Sequence, residues 1–185
     1  MDHKMKIGVV GLGDIAEVAY LDNLHSPRKG VEVKWLCDLK DERLKWAAGV
    51  VPSATATKNY DEILADRDVN WVFILTPLLA HAPLIKKALE AGKNVYTEKP
   101  MSINFEEAAG LVELSKKKGV YFASAPIMLL YPAYEYVRGV LLEGALGQLT
   151  SARVLVAHGG PNSWEFKNDP SCLLYTSPSP RDRTR

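Results

Sequence analysis

Apolar and polar residues form two distinct patterns along the chain. Short runs rich in β-branched and aromatic residues predict buried parallel strands. These runs lie at 6–10, 31–37, 69–75, 93–96 and 120–122, with a shorter one near residue 55. Between them, apolar residues recur every three or four positions, which indicates amphipathic helices. The predicted helices cover 14–24, 41–49, 81–91 and 104–119, with a helical turn at 60–64.

The regular alternation of strands and helices predicts a doubly wound parallel sheet of the α/β class. This rhythm changes after Ser124, where a helix over 132–142 and a longer strand over 149–157 are predicted. We therefore expect residues 1–124 to form the sheet domain, and residues 125–171 to begin a second α/β domain. That second segment is too short to complete a domain of typical size.

The last segment, 172–185, is predicted to be a non-native tail. It ends in serines, prolines and arginines with nothing to bury, and residues 172–182 resemble the translation of a transposase-type sequencing adaptor. We exclude it from the fold argument, as one would a fusion scar. The natural sequence is expected to continue past Ser171.

Composition narrows the function classes. The chain of 185 residues is 47% hydrophobic and 24% charged, with a formal net charge of +1. This balance offers no electrostatic basis for binding nucleic acid or an anionic membrane, and no apolar run is long enough to span a bilayer. The amino terminus lacks a signal-peptide pattern, and with only Cys37 and Cys172 the default expectation is a reduced, cytoplasmic setting. No metal site is predicted.

A glycine-rich turn follows the first predicted strand. The pattern Gly11-x-Gly13-x-x-Ala16 opens a helix, which is the context that a dinucleotide fingerprint requires. Gly11 permits the tight turn, Gly13 lets a pyrophosphate approach the backbone, and Ala16 keeps the helix close to the sheet. Asp14 and Ile15 complete the first helical turn, whose free N–H groups attract phosphate. The alternative is a glycine turn without a ligand.

Asp38 ends the second predicted strand and strengthens the dinucleotide interpretation. An acid at this position accepts hydrogen bonds from the ribose hydroxyls, which favours NAD over NADP. Lys40 weakens that discrimination, so NADP stays open as a cofactor.

Two further segments follow predicted strands. Thr76-Pro77 ends the strongest strand, with His81 at the start of the next helix, although a proline can simply end a strand and His81 can be a surface residue. Glu98-Lys99 follows another apolar strand. Since ligands of open α/β sheets bind at the carboxyl ends of the strands, Lys99 is placed to handle a proton. An ordinary surface Glu–Lys pair is the alternative.

These segments together resemble the glucose–fructose oxidoreductase/inositol dehydrogenase (Gfo/Idh/MocA) family. The resemblance covers about residues 4 to 160 in a consistent order and includes Glu98-Lys99-Pro100 and Gly144-Ala145-Leu146-Gly147. It implies a Rossmann domain followed by an α/β domain, and hydride transfer between NAD(P) and a sugar, inositol or related polyol. By this resemblance Lys99 is the catalytic lysine, and the cofactor site is lined by Thr76, Pro77, His81 and Glu98. A homo-oligomeric parent protein is also expected.

The chain departs from the family pattern in two places. Leu129 and Leu130 stand where many members have an arginine. The downstream Asp…His or Tyr motif of the family is missing, so the chain as printed is expected to be an inactive fragment. Two alternatives remain open, a non-catalytic NAD(P)-binding sensor or scaffold and an imine or tetrapyrrole reductase of the same superfamily.

Overall fold

A computed structural model describes residues 4–25, 30–125, 130–153 and 155. One compact unit runs through Ala125, and the described residues after it belong to a second. The predicted tail at 172–185 and Leu129, which stands where many family members have an arginine, lie outside the described residues. No helix in the described ranges is long and apolar enough to cross a membrane.

The first unit contains one parallel sheet of six strands in the order β3-β2-β1-β4-β5-β6. Its strands are β1 (Met5–Val10), β2 (Val31–Cys37), β3 (Thr55–Thr57), β4 (Trp71–Ile74), β5 (Asn94–Glu98) and β6 (Phe122–Ala125). This is the strand order of the Rossmann fold, and it confirms the predicted doubly wound sheet. The order reverses direction between β1 and β4, which creates a crevice at their carboxyl ends.

Helices connect the strands of this unit. The chain is helical from Asp14, passes through a π-helical turn at Ala16–Tyr20 and continues as α1. The α-helices are α1 (Leu21–His25), α2 (Asp41–Val50), α3 (Tyr60–Ala65), α4 (His81–Glu90) and α5 (Phe105–Lys118). A short 3-10 turn at Leu78–Ala80 precedes α4. Asn104 caps the start of α5, because its side chain accepts a hydrogen bond from the Glu107 N–H at 2.7 Å.

Two apolar cores lie on opposite faces of the sheet. Successive residues of β4 alternate between them, with Val72 and Ile74 in one core and Phe73 in the other. The first core packs against α4 and α5 through Ile85 and Leu111. The second core packs against the π-helical turn, α1 and α2 through Ala16, Leu21 and Ala47. Helices therefore cover both faces of the sheet, and the ends of the strands stay accessible.

The described part of the second unit contains α6 (Pro132–Leu142), at the position predicted for a helix. The strand predicted at 149–157 is not seen in residues 149–153 and 155, which pair with no other strand. Residues 154, 156 and 157 lie outside the described part. A strand requires a partner strand, and the described residues of this unit provide none.

Candidate functional site

The glycine turn sits where β1, β2 and β4 end. Gly11 has a φ of +88°, and its N–H donates to the Cys37 carbonyl at 2.9 Å. A Cβ added to Gly11 would lie 2.6 Å from the Thr76 nitrogen and 2.7 Å from the Leu75 carbonyl carbon. Only glycine fits, because both the backbone conformation and the neighbouring strand exclude a side chain. The turn and the end of β4 are thereby packed together.

Gly13 faces open space, in contrast to Gly11. A Cβ built on Gly13 would meet no atom within 4 Å. The chain becomes helical at Asp14, so the first N–H groups of this helix have no carbonyl partner one turn earlier. Ala16 is fully buried, which holds the helix against the sheet. An anionic group can therefore approach the backbone next to Gly13 and meet the positive end of the helix dipole.

Asp38 contacts the same turn from the end of β2. Its Oδ2 accepts a hydrogen bond from the Leu12 N–H at 2.7 Å, and its Oδ1 accepts one from the Lys40 N–H at 2.9 Å. These bonds fix the carboxylate beside the glycine turn. Each carboxylate oxygen has a second lone pair, so the group can still accept hydrogen bonds from ribose hydroxyls.

Asp14 and Ile15 are both at the surface of the helix start. Asp14 Oδ1 accepts a hydrogen bond from Arg43 Nη2 at 2.7 Å, and Glu17 Oε2 accepts one from Arg43 Nη1 at 2.7 Å. The Arg43 guanidinium also lies over the Trp46 ring at 5.6 Å. This arginine ties α2 to the helix that follows the glycine turn. Ile15 is 37% exposed and makes the rim of the turn apolar.

His81 joins two loops instead of facing solvent. Its side chain is 2% exposed, with Nε2 lying 2.8 Å from the Thr76 carbonyl oxygen and Nδ1 lying 2.8 Å from the Pro100 carbonyl oxygen. The ring therefore bridges the loop after β4 and the loop after β5. The family resemblance implies that His81 lines the cofactor site, and in the structure both of its ring nitrogens contact backbone carbonyl oxygens.

Thr76 and Pro77 line the carboxyl end of β4. The Thr76 Oγ1 atom is buried, and it is the one such side-chain atom without a hydrogen-bond partner among the described residues. It lies next to the glycine turn, since the Thr76 backbone is the nearest neighbour of Gly11. Pro77 is exposed and begins the short turn that leads into α4.

Glu98 is the last residue of β5 and pairs with Ala125 of β6, and Lys99 directly follows the end of this strand. The Lys99 N–H donates to Glu98 Oε2 at 3.0 Å, and the peptide bond between Lys99 and Pro100 is cis. Lys99 is exposed, and its ammonium group makes no hydrogen bond or ion pair within the described ranges. The backbone of Lys99 is thus held in place while its Nζ is free to meet a ligand.

Tyr20 is a contact of this site that the sequence pattern did not reveal. Its hydroxyl donates to Glu98 Oε1 at 2.5 Å and lies 2.9 Å from the Tyr96 hydroxyl. Burial and the neighbouring Glu98 carboxylate raise the pKa of Tyr20 above its usual range. The contact joins residues 78 positions apart, so no local spacing could indicate it.

Cys37 is not a nucleophile in this arrangement. The residue is 4% exposed, and burial, assisted by the Asp38 carboxylate, raises the pKa of its thiol to about 11. A reactive cysteine needs a thiolate and access to solvent. No group of three or more His, Cys, Asp or Glu side chains in the described part could hold a metal ion.

Comparison with known proteins agrees with this geometry. The sequence model of the Gfo/Idh/MocA oxidoreductase family, described by its NAD-binding Rossmann fold, matches residues 5–125. The chain belongs to this family. Among its curated relatives, the dTDP-3,4-didehydro-2,6-dideoxy-alpha-D-glucose 3-reductase of Streptomyces violaceoruber is 34% identical over 146 residues, which are 78% of this chain and 42% of the relative.

Two solved structures of family members show the same fold. A scyllo-inositol dehydrogenase from Lactobacillus casei with bound NAD(H) and scyllo-inositol matches with a TM-score of 0.73 at 24% identity, covering 80% of this chain and 43% of the other. A 3-ketoreductase from Actinomadura kijaniata in complex with NADP and TDP-benzene matches with a TM-score of 0.69 at 28% identity, covering 76% and 43%. The chain spans about two fifths of the length of these relatives.

The residues present fit a nicotinamide dinucleotide. Open space beside Gly13, the free helix start at Asp14 and the carboxylate of Asp38 are the three features that such a ligand requires. They lie at the point where the strand order reverses, which is where open α/β sheets bind ligands. The family is an NAD-binding one, and the neighbours above were crystallised with NAD(H) or NADP.

Proposed function

We propose that the complete protein is an NAD(P)-dependent oxidoreductase acting on a sugar, inositol or related polyol. The observation that carries this proposal is the position of Lys99. Lys99 follows β5, and the glycine turn follows β1, which is two strands away in the sheet. Both therefore lie at the carboxyl ends of the parallel strands. A proton-handling ammonium group and a dinucleotide cradle on one sheet edge are the two elements that alcohol oxidation needs.

The cofactor is held by residues that the fold has already fixed. Gly13 and the helix start at Asp14 would hold the pyrophosphate, and Asp38 would accept hydrogen bonds from the adenosine ribose. The negative charge of Asp38 disfavours a 2′-phosphate, so NAD is the expected cofactor and NADP the less favoured one. When bound, the nicotinamide ring accepts or releases the hydride.

Lys99 would manage the proton at the reacting oxygen. As a substrate hydroxyl becomes a carbonyl, the neutral amine form of Lys99 would take up the hydroxyl proton and become an ammonium, and in the reverse direction this ammonium would return the proton. The loop carrying Lys99 is anchored through Glu98 Oε2 and through the contact of His81 with Pro100. Reacting groups must be held this firmly, because small displacements reduce the rate strongly.

The chain as printed is proposed to bind the dinucleotide but to turn over little substrate. Lys99 is exposed in the described part, whereas acid–base chemistry of this kind takes place where water is excluded. A second domain of normal size would supply that enclosure and the groups that hold a polyol. The homo-oligomer expected for the complete protein is a further prediction, which its sedimentation would test.

Substitution of Lys99 in the complete protein tests the proposed function. We expect Lys99→Ala to lower kcat by about 100-fold to 10,000-fold, the usual contribution of a general acid or base, with NADH affinity changed less than about twofold. Lys86→Ala, at an exposed position of α4, is the matched control and should leave both quantities unchanged. The assay follows NADH absorbance with scyllo-inositol and myo-inositol as first substrates.

Two outcomes would contradict the proposal. Unchanged turnover in Lys99→Ala would remove this residue from the chemistry. Tight NADH binding with no turnover of any polyol or sugar, in the unmodified protein as well as the variant, would favour the non-catalytic sensor.

A further inference from the structure

Tyr20 lies between the helix that follows the glycine turn and the end of β5, which carries Glu98 and Lys99. It is the last residue of the π-helical turn Ala16–Tyr20, in which the Leu21 N–H donates to the Ala16 carbonyl. Such a turn contains one more residue than an α-helical turn and redirects the side chains that follow it. Short π-helical segments occur frequently at functional sites. Here the turn belongs to the helix whose start forms the dinucleotide cradle.

The Tyr20 hydroxyl makes a directed chain of hydrogen bonds toward Lys99. A carboxylate only accepts hydrogen bonds, so Tyr20 donates its single proton to Glu98 Oε1 at 2.5 Å. The Tyr96 hydroxyl, 2.9 Å away, then donates to the Tyr20 oxygen. The second oxygen of the same carboxylate accepts from the Lys99 N–H at 3.0 Å. Both oxygens of the Glu98 carboxylate therefore accept a hydrogen bond, one from the Tyr20 hydroxyl and the other from the Lys99 backbone.

Packing supports the same arrangement. The Tyr20 and Tyr96 rings lie 5.9 Å apart, and the Tyr96 ring lies 4.8 Å from Phe73 on the neighbouring strand. The aromatic rings fix the position of the hydroxyl groups, because their side chains have few free torsions. A phenylalanine would fill the same space as Tyr20, so only the hydroxyl explains a tyrosine at this position.

We infer that Tyr20 is a positioning residue for Lys99, acting through the Glu98 carboxylate. This inference rests on the proposed function, in which Lys99 meets the substrate. Loss of the Tyr20 hydroxyl would leave Glu98 Oε1 without its donor and allow the carboxylate to rotate away from the Lys99 N–H. The residue thereby links the helix that holds the dinucleotide to the backbone that carries the proton-handling group.

The test compares Tyr20→Phe with Tyr60→Phe in the chain of 185 residues. Tyr60 is a matched control, because its hydroxyl also makes a partly buried hydrogen bond, to the Leu84 carbonyl at 3.1 Å, away from the sheet edge. NMR follows the Lys99 amide proton, which a bond to a carboxylate deshields. In Tyr20→Phe we expect an upfield shift and hydrogen exchange at least about fivefold faster, with neither change in Tyr60→Phe.

A double substitution separates positioning from general loosening. In a Glu98→Ala background the Lys99 amide has lost its acceptor, so adding Tyr20→Phe should change its shift and its exchange no further. Equal Lys99 amide signals in the unmodified chain and Tyr20→Phe would overturn the inference, as would a further change in the Glu98→Ala background. NADH titration of the same samples is read separately, because absence of binding by the unmodified chain would count against the proposed function and not against the role of Tyr20.

Discussion

The two compact units of this chain differ in how far they bury their apolar side chains. Every buried hydrophobic residue in the described ranges lies in the unit that ends at Ala125. In the second unit, α6 has no buried residue, and Leu142 and Tyr136 are 71% and 74% exposed. Exposed apolar surface of this kind marks a face that other protein segments normally cover. The candidate dinucleotide site thus belongs to a unit with its own core, and can be studied in this chain.

The largest expected difference between the units concerns stability. Ile85 is fully buried between α4 and the sheet, so Ile85→Ala should lower the free energy of unfolding by about 2–5 kcal/mol. Leu142→Ala removes the side chain of an exposed residue and should change this free energy by less than about 0.5 kcal/mol. Urea denaturation measures both values. A large loss in Leu142→Ala would show that the second unit has a core of its own.

Gly11 gives the next largest effect within the first unit. Gly11→Ala would place a Cβ 2.6 Å from the Thr76 nitrogen and force a positive φ on alanine. We expect a loss of about 1–3 kcal/mol in the free energy of unfolding, together with weaker NADH binding. Gly49→Ala in α2 is the control, since its Cβ would meet nothing within 4 Å. Equal stability of both variants would contradict the close packing of the turn against β4.

Asp38 should produce a smaller effect, on cofactor choice. Asp38→Asn removes the negative charge with little change in size, so the ratio of NADPH to NADH affinity should rise about tenfold, or about 1.4 kcal/mol. Fluorescence titration with both dinucleotides measures this ratio, and thermal denaturation shows whether the turn is intact. An unchanged ratio would mean that Asp38 only supports the Leu12 and Lys40 backbone.

The order of elements in the first unit could be predicted from local sequence. Residue periodicity placed the strands and helices within a few residues, and the glycine pattern placed the turn. Smaller features depend on tertiary contacts and were missed. The apolar spacing of α5 would place Phe105 on the buried face of this helix, but Phe105 is 80% exposed, whereas Leu111 and Ser115 are buried. The last strand lies at Phe122–Ala125 instead of 120–122, because its register is set by pairing with β5.

The same reasoning applies to the candidate site. Sequence spacing placed Gly11, Asp38 and Lys99 on one sheet edge, because the carboxyl ends of parallel strands meet there. It could not show that His81 contacts the Thr76 and Pro100 carbonyl oxygens, or that Tyr20 contacts Glu98. Those contacts join segments that only the folded sheet brings together.

The most direct test of the account is NADH titration of the chain as printed, with Gly13→Ala as the comparison. An added Cβ at Gly13 meets no protein atom within 4 Å, so the variant should keep its thermal stability. The same Cβ would occupy the space where the pyrophosphate approaches the backbone. We predict saturable NADH binding by the unmodified chain and at least about tenfold weaker binding by Gly13→Ala. No binding by the unmodified chain, or equal binding by both proteins, would contradict the dinucleotide site.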